Sequence, residues 1–207
     1  GDQADGSPQP TDAALRATDE PGAGPLRAIF VGLFTPLHGA PTIGEALAAL
    51  AGDHRIEVTM VGTGQDYQEC RRLAAGNPRV TWRDWVPGDE LPDLVASHDV
   101  CLGIFGTTDK ALRVVPTKVY QGAAAGSAVV TSDTPPQRAA LGDGAVFVPP
   151  GDGVALAEAL RRLAADRTVL AKLRAAARDI AVARFTAPAS VAPMRDRVRA
   201  RVHADTQ

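Results

Sequence analysis

The sequence is short of the features that mark several protein classes. Cysteine occurs only at Cys70 and Cys101, too few for a disulfide framework or a cysteine-rich zinc site. No uninterrupted apolar run of about 18 residues is present, which excludes a transmembrane helix. The first residues are polar and acidic, so no secretory signal opens the chain. A reducing, cytoplasmic setting follows as the expectation. The chain opens on Gly1 rather than Met, as expected of a processed or excised fragment. There is no internal repeat, no Gly-x-Ser-x-Gly and no Walker lysine loop. His54, His98 and His203 lack metal-ligand spacing and read as surface or packing residues, so no metal is expected. Lysine is scarce as well: of 22 basic residues only three are Lys. Two of them, Lys110 and Lys118, fall in one short segment.

What is present describes an ordinary globule of 207 residues, 45% hydrophobic, with a net charge of −2. That length holds one well-buried domain with appendages. Residues 1–25 are rich in Pro, Gly, Asp and Ala without apolar period, and read as a flexible linker. Residues 26–207 form the domain. Short apolar runs alternate with helical patterns from Leu26 onward. Strands are predicted at Ala28-Ile29-Phe30-Val31, Ile56 to Val61, Val80-Thr81-Trp82, Val100-Cys101-Leu102, Ala128-Val129-Val130-Thr131 and Val146-Phe147-Val148. Thr42 and Glu45 form a capping-box signature for the first helix. Near-continuous apolar strands separated by helices predict a doubly wound, Rossmann-like α/β fold: about six parallel strands with helices on both faces. The C-terminus is helical, with Leu156, Leu160 and Leu163 in one helix and Leu170, Leu173, Ala177 and Ile180 in the next. A break at Pro188 and Pro193 then precedes a final Arg-rich helix. Residues 153–207 carry eleven basic and five acidic side chains. Their spread around helical turns reads as a solvated face rather than a nucleic-acid or lipid surface.

In such a fold ligands sit beyond the carboxyl ends of the strands. The first strand ends at Gly32, and Gly39 closes the following loop, a pairing that suits close backbone approach to a ligand. The second ends in Gly62-Thr63-Gly64, which starts like a dinucleotide fingerprint, with Asp84 downstream as a ribose ligand. Tyr67 stands where that motif needs its third glycine, which argues against the NAD reading. Most informative is Lys110 to Gly126. Pro116 and Thr117 look like a helix start and Gly126 like its end. Lys118 then falls in the first turn, where the helix dipole disfavours a cation. An anion sharing the spot, such as a diphosphate, accounts for it; the bland alternative is a lysine pointing into solvent. Gln121, one turn on, is placed to hydrogen-bond a ribose hydroxyl.

From Leu26 to about Val198 the order of these motifs resembles the C-terminal domain of the GT-B-fold glycosyltransferases of family four, in a bacterial subgroup. Gly32-Leu33 and His38-Gly39 take the place of the family's Gly-Arg and Lys-Gly loop. Trp85-Val86-Pro87 looks like the loop whose backbone meets the nucleotide base. Gln121 to Gly126, Asp133, and Phe147 to Asp152 complete the likeness. Arg113 and Gln121 replace the two glutamates of the family's Glu-x7-Glu motif. The resemblance implies retaining hexosyl transfer from a nucleotide-diphosphate sugar, with no metal or other cofactor. It implies nucleotide-sugar binding at Gly32, His38, Gly39, Gly62, Gly64, Trp85, Val86, Thr117, Lys118 and Gln121. Lys118 supplies the charge that Leu33 cannot. Lys118 and Arg113 are the candidate catalytic residues, with Arg113 meeting a phosphate or an acidic group on the sugar. The resemblance also implies an acceptor domain outside this chain, no nucleic acid, and peripheral membrane contact of the full-length enzyme. A nucleotide-sugar epimerase of similar fold and a non-catalytic nucleotide-binding module are the alternatives.

Overall fold

The structure, a computed structural model, describes residues 24–204. The linker expected over 1–25 therefore falls almost wholly outside the described residues. Six strands, β1 (Leu26–Val31), β2 (Ile56–Val61), β3 (Val80–Arg83), β4 (Val100–Leu102), β5 (Ala128–Ser132) and β6 (Ala145–Val148), form one sheet. All neighbours pair in parallel, in the order β3-β2-β1-β4-β5-β6. The chain winds outward from β1 to β3, returns to β4 beside β1, and winds outward again. The reversal opens a crevice at the carboxyl ends of β1 and β4. This is the doubly wound architecture that the sequence predicts.

Side-chain alternation along β1 explains how both faces are covered. Leu26, Ala28 and Phe30 enter one core with Ile43 and Leu47 of α1 (Ala40–Ala49) and Leu156, Leu160 and Leu163 of α6 (Gly153–Ala165). Ile29 faces the other way, with Val61, Cys101 and Val95 of α3 (Leu91–Ala96). On that same face Val129 packs on Val119 and Ala123 of α4 (Thr117–Ala124), and on Ala177 and Ala181 of α7 (Arg167–Arg184). The α4 helix lies close to β4 because Gly122 has no side chain. A Cβ there would stand 2.4 Å from the Cβ of Cys101. The remaining helices are α2 (Tyr67–Leu73), α5 (Pro135–Leu141) and α8 (Ala187–Ala204).

Two local expectations are corrected. The first helix is not started by a Thr42–Glu45 capping box. It begins at Ala40, with Gly39 at its N-cap in the left-handed conformation (φ 66°) and Pro41 in its first turn. A proline in the first turn has no N–H to leave unsatisfied, so the helix starts earlier than the box predicts. Nor does the chain break at both Pro188 and Pro193. The interruption lies at Phe185 and Thr186, and α8 continues through position 193. Pro188 sits in the first turn of α8, where it costs no hydrogen bond.

The junction of α6 and α7 turns on Asp166, whose carboxylate accepts from the backbone N–H groups of Thr168 and Val169, both at 3.0 Å. Asp166→Ala leaves those donors without a side-chain acceptor. Urea denaturation is expected to show a loss of about 0.5–2 kcal/mol.

Candidate anion-binding site

Three loops meet at the carboxyl ends of β1, β2 and β4, and glycine makes each contact possible. Gly62 (φ 119°) lies on the Gly32 carbonyl so closely that a Cβ would come within 2.1 Å of its oxygen. Gly64 lies against the backbone of Phe34 in the same way. The two loops are then joined by bonds from Gly32 N–H to Val61 (3.0 Å), Phe34 N–H to Thr63 (2.9 Å) and Asp66 N–H to Phe34 (2.8 Å). Gly39 presses on the backbone of Phe105 and Gly106, and Phe105 N–H donates to the His38 carbonyl at 3.0 Å. No alternative residue fits these positions without moving backbone.

Lys118 reaches into this floor from the first turn of α4. It is only 6% exposed, and its Nζ has no hydrogen-bond partner. The ammonium lies 3.8 Å from the centroid of the Phe30 ring. It points at Gly32: a Cβ on that glycine would stand 2.6 Å from Nζ, with His38 Cε1 4.0 Å from the same point. Burial pushes Lys118 down to about 7, with the Cys101 thiol opposing the shift. A cation–π contact is worth about 2 kcal/mol when desolvated. The effective penalty for a buried ion is several kcal/mol. The ring therefore does not offset the burial, and the amine stands in want of an anion.

His38 forms the wall beside it. Its Nδ1 shares a hydrogen bond with Thr35 Oγ1 at 3.1 Å, and its ring meets Phe30 edge-on. Burial first, and then the Lys118 charge, lower it to about 4, against a smaller upward effect of the Leu33 backbone. His38 is a neutral imidazole at physiological pH. The α4 helix has no side-chain cap at Pro116, so the N–H groups of its first turn add a partial positive charge.

The other expected residues fall around this centre unevenly. Thr117 and Gln121 are on α4 and exposed, Gln121 three positions beyond Lys118. Trp85 is 75% exposed on the loop after β3, while Val86 packs against the Ile29–Val61–Val95 cluster. Arg113 is 76% exposed and paired with Asp109 at 3.2 Å. It is not among the groups that perturb Lys118 or His38. The solvent-facing alternative for Lys118 is overturned, because the side chain turns into the crevice. Asp84 is exposed and accepts from Tyr67 Oη at 2.8 Å. Tyr67 itself packs edge-on against Phe34 and Trp82, so a bulky ring stands where the dinucleotide fingerprint needs a glycine. His98 is a packing residue, held by the Leu94 carbonyl and Thr59. His54 is exposed, and the His203 side chain lies outside the described residues. Among the described residues no three His, Cys, Asp or Glu side chains gather as a metal site.

Sequence reasoning missed two contributors. Phe30 reads simply as strand core, and nothing in its neighbourhood signals a ring beneath an ammonium. The Gly103-Ile104-Phe105-Gly106 loop did carry a signal, with Gly103 directly after β4 and Gly106 three positions on. Thr134 Oγ1, at the start of α5, is a second buried polar atom without a partner.

Residues 25–166 match the sequence profile of a family described as glycosyl transferases group 1. This chain belongs to that family. Solved structures agree on the fold. Sucrose-phosphate synthase from Thermosynechococcus elongatus superposes with a TM-score of 0.69 at 21% identity, over 94% of this chain and 49% of that one. The C-terminal domain of a group 1 glycosyl transferase from Francisella tularensis gives 0.66 at 13% identity, over 79% of this chain and 89% of that one. Anabaena HepE, solved with UDP, gives 0.69 at 18% identity, over 87% and 49%. The group 1 chain described here thus has the architecture of a GT-B C-terminal domain. It spans about half the length of the synthase and of HepE. No curated protein matches it.

The cost of the buried amine has a measurable consequence. Unfolded, Lys118 holds its proton to about pH 10.4; folded, it loses it at about 7. Between these values the unfolded state binds more protons, so stability rises with pH. Lys118→Met is expected to stabilise the apo protein. The gain should be largest at neutral pH and below, and shrink by roughly 1.4 kcal/mol per pH unit above it. Urea titrations of both proteins across this range measure the gap; a gap that ignores pH contradicts the burial of a charged amine.

Proposed function

We propose that this chain is the donor-binding half of a retaining, family-four-like glycosyltransferase. It holds a nucleotide-diphosphate sugar, while a second domain outside this chain presents the acceptor. The observation that carries the reading is the unpartnered Lys118 ammonium beneath Gly32, at the reversal of strand order. Family membership supports glycosyl transfer, and the UDP of HepE supports a nucleotide ligand at this fold.

In this reading the diphosphate lies over Gly32, with Lys118 and the first turn of α4 as its electrostatic partners. The C1–oxygen bond to the phosphate breaks, and its electron pair passes to the departing phosphate oxygen. Fixed positive charge at that oxygen lowers the barrier, because little reorganisation remains to be done. The acceptor oxygen bonds to C1, and its proton passes to the departing phosphate oxygen. No metal or other cofactor is invoked. Neutral His38 contributes a polar wall rather than charge. Thr117, at the start of α4, lies with the diphosphate, Gln121 one turn on takes the ribose, and the Trp85-Val86 loop meets the base. Arg113 takes part by leaving Asp109 for a phosphate or an acidic sugar. The enzyme works in the cytoplasm, with peripheral membrane contact where its acceptor is a lipid.

Calorimetric titration with UDP, GDP, dTDP and ADP tests the reading. At least one diphosphate is expected to bind. Lys118→Ala should weaken it by about 1.5–3 kcal/mol, the range for a hydrogen bond to a charged group. The corresponding nucleoside should be little affected. Gln121→Ala should cost both ligands about 0.5–1.5 kcal/mol. Absence of binding by every diphosphate to the folded protein overturns the proposal.

A further inference from the structure

We infer that the site takes up its diphosphate together with a proton, which comes to rest on Lys118 as the anion seats against Gly32. The inference rests on the anion-site reading above and adds how that site responds to pH.

The surroundings of the amine supply it with no counter-charge. Here each structural element packed around Nζ is neutral. From β1 comes the Phe30 ring, 3.8 Å away. From the β1 loop come Gly32 and His38, the latter held at about 4 and so uncharged near neutrality. From β4 comes Cys101, whose thiol burial pushes up to about 12. The α4 helix supplies the Lys118 carbonyl as acceptor to that thiol at 3.5 Å, and no acidic side chain. Arg113 and Asp109 satisfy each other at the surface. Among the described residues no carboxylate pairs with Lys118.

The counter-charge for this amine therefore has to arrive with the ligand. Without an anion beside it, burial holds Lys118 at about 7, so near pH 8 the amine is mostly neutral. A diphosphate beside it favours the ammonium and lifts the pKa back up. Binding then runs as neutral amine plus one proton from solvent, giving ammonium and bound anion. No covalent bond changes. The linkage has a definite sign: affinity is full below the apo pKa and falls as pH rises through it, by up to tenfold per unit.

The test uses the full 207-residue chain and UDP-glucose, with GDP-, dTDP- and ADP-glucose in parallel. A sugar-esterified diphosphate has no group that titrates near neutrality, so any proton taken up belongs to the protein. Titration calorimetry in buffers of different ionisation enthalpy reads the proton number directly on the wild type. The expected result is uptake approaching one proton at about pH 8 and close to none at about pH 6, with affinity about tenfold weaker at the higher pH. Lys118→Met should bind more weakly and lose both pH effects. Binding without proton uptake and without pH dependence overturns this inference and leaves the anion site standing. Uptake that persists in Lys118→Met overturns it too, because another group, His38 foremost, then carries the proton. If no nucleotide sugar binds at any pH, both readings fall.

Discussion

An ammonium group enclosed by protein, with a phenyl face on one side and glycine backbone on another, sets the terms for this crevice. The Lys118 amine has no protein acceptor and the side chain is almost wholly buried, and that burial disfavours the charged form. The loops around it leave little room for relaxation. Gly62 sits on the Gly32 carbonyl, and Gly39 on Phe105. Those contacts fix the floor at which the amine points. A folded domain tolerates such a group when the rest of its core is well packed, and here both faces of the sheet are.

The charge at this crevice is carried by a helix and not by the β1 loop. Here the β1 loop offers Leu33, which is exposed, and His38, which is neutral. The cation comes instead from the opposite wall, carried by α4 across β4. The consequence is electrostatic. A surface cation is screened and always charged, whereas an enclosed one acts strongly at short range and answers to pH. Moving one charge from loop to helix thus changes how the site behaves while keeping its position.

Much of the fold was legible because apolar alternation is a local property. Strands and helices fell close to their predicted places, and the parallel order followed from their alternation. The misses were local competitions that a pattern cannot judge. Thr42 and Glu45 formed a valid capping signature, but Gly39 and Pro41 started the helix first. Asp84 stood at a suitable spacing for a ribose, and in the fold its carboxylate accepts from Tyr67 Oη.

Residue type and short-range spacing are enough to set the sheet, the glycines at the strand ends and a lysine in the first turn of α4. The direction in which that lysine turns depends on the packed fold. A lysine side chain has several rotatable bonds and no fixed direction, so sequence spacing leaves solvent and crevice equally open. The choice was made by distant residues: the Gly122–Cys101 contact that seats α4 on β4, the Phe30 ring beneath the amine, and Gly32, whose missing side chain leaves room for it. Arg113 is placed the other way, exposed and paired with Asp109.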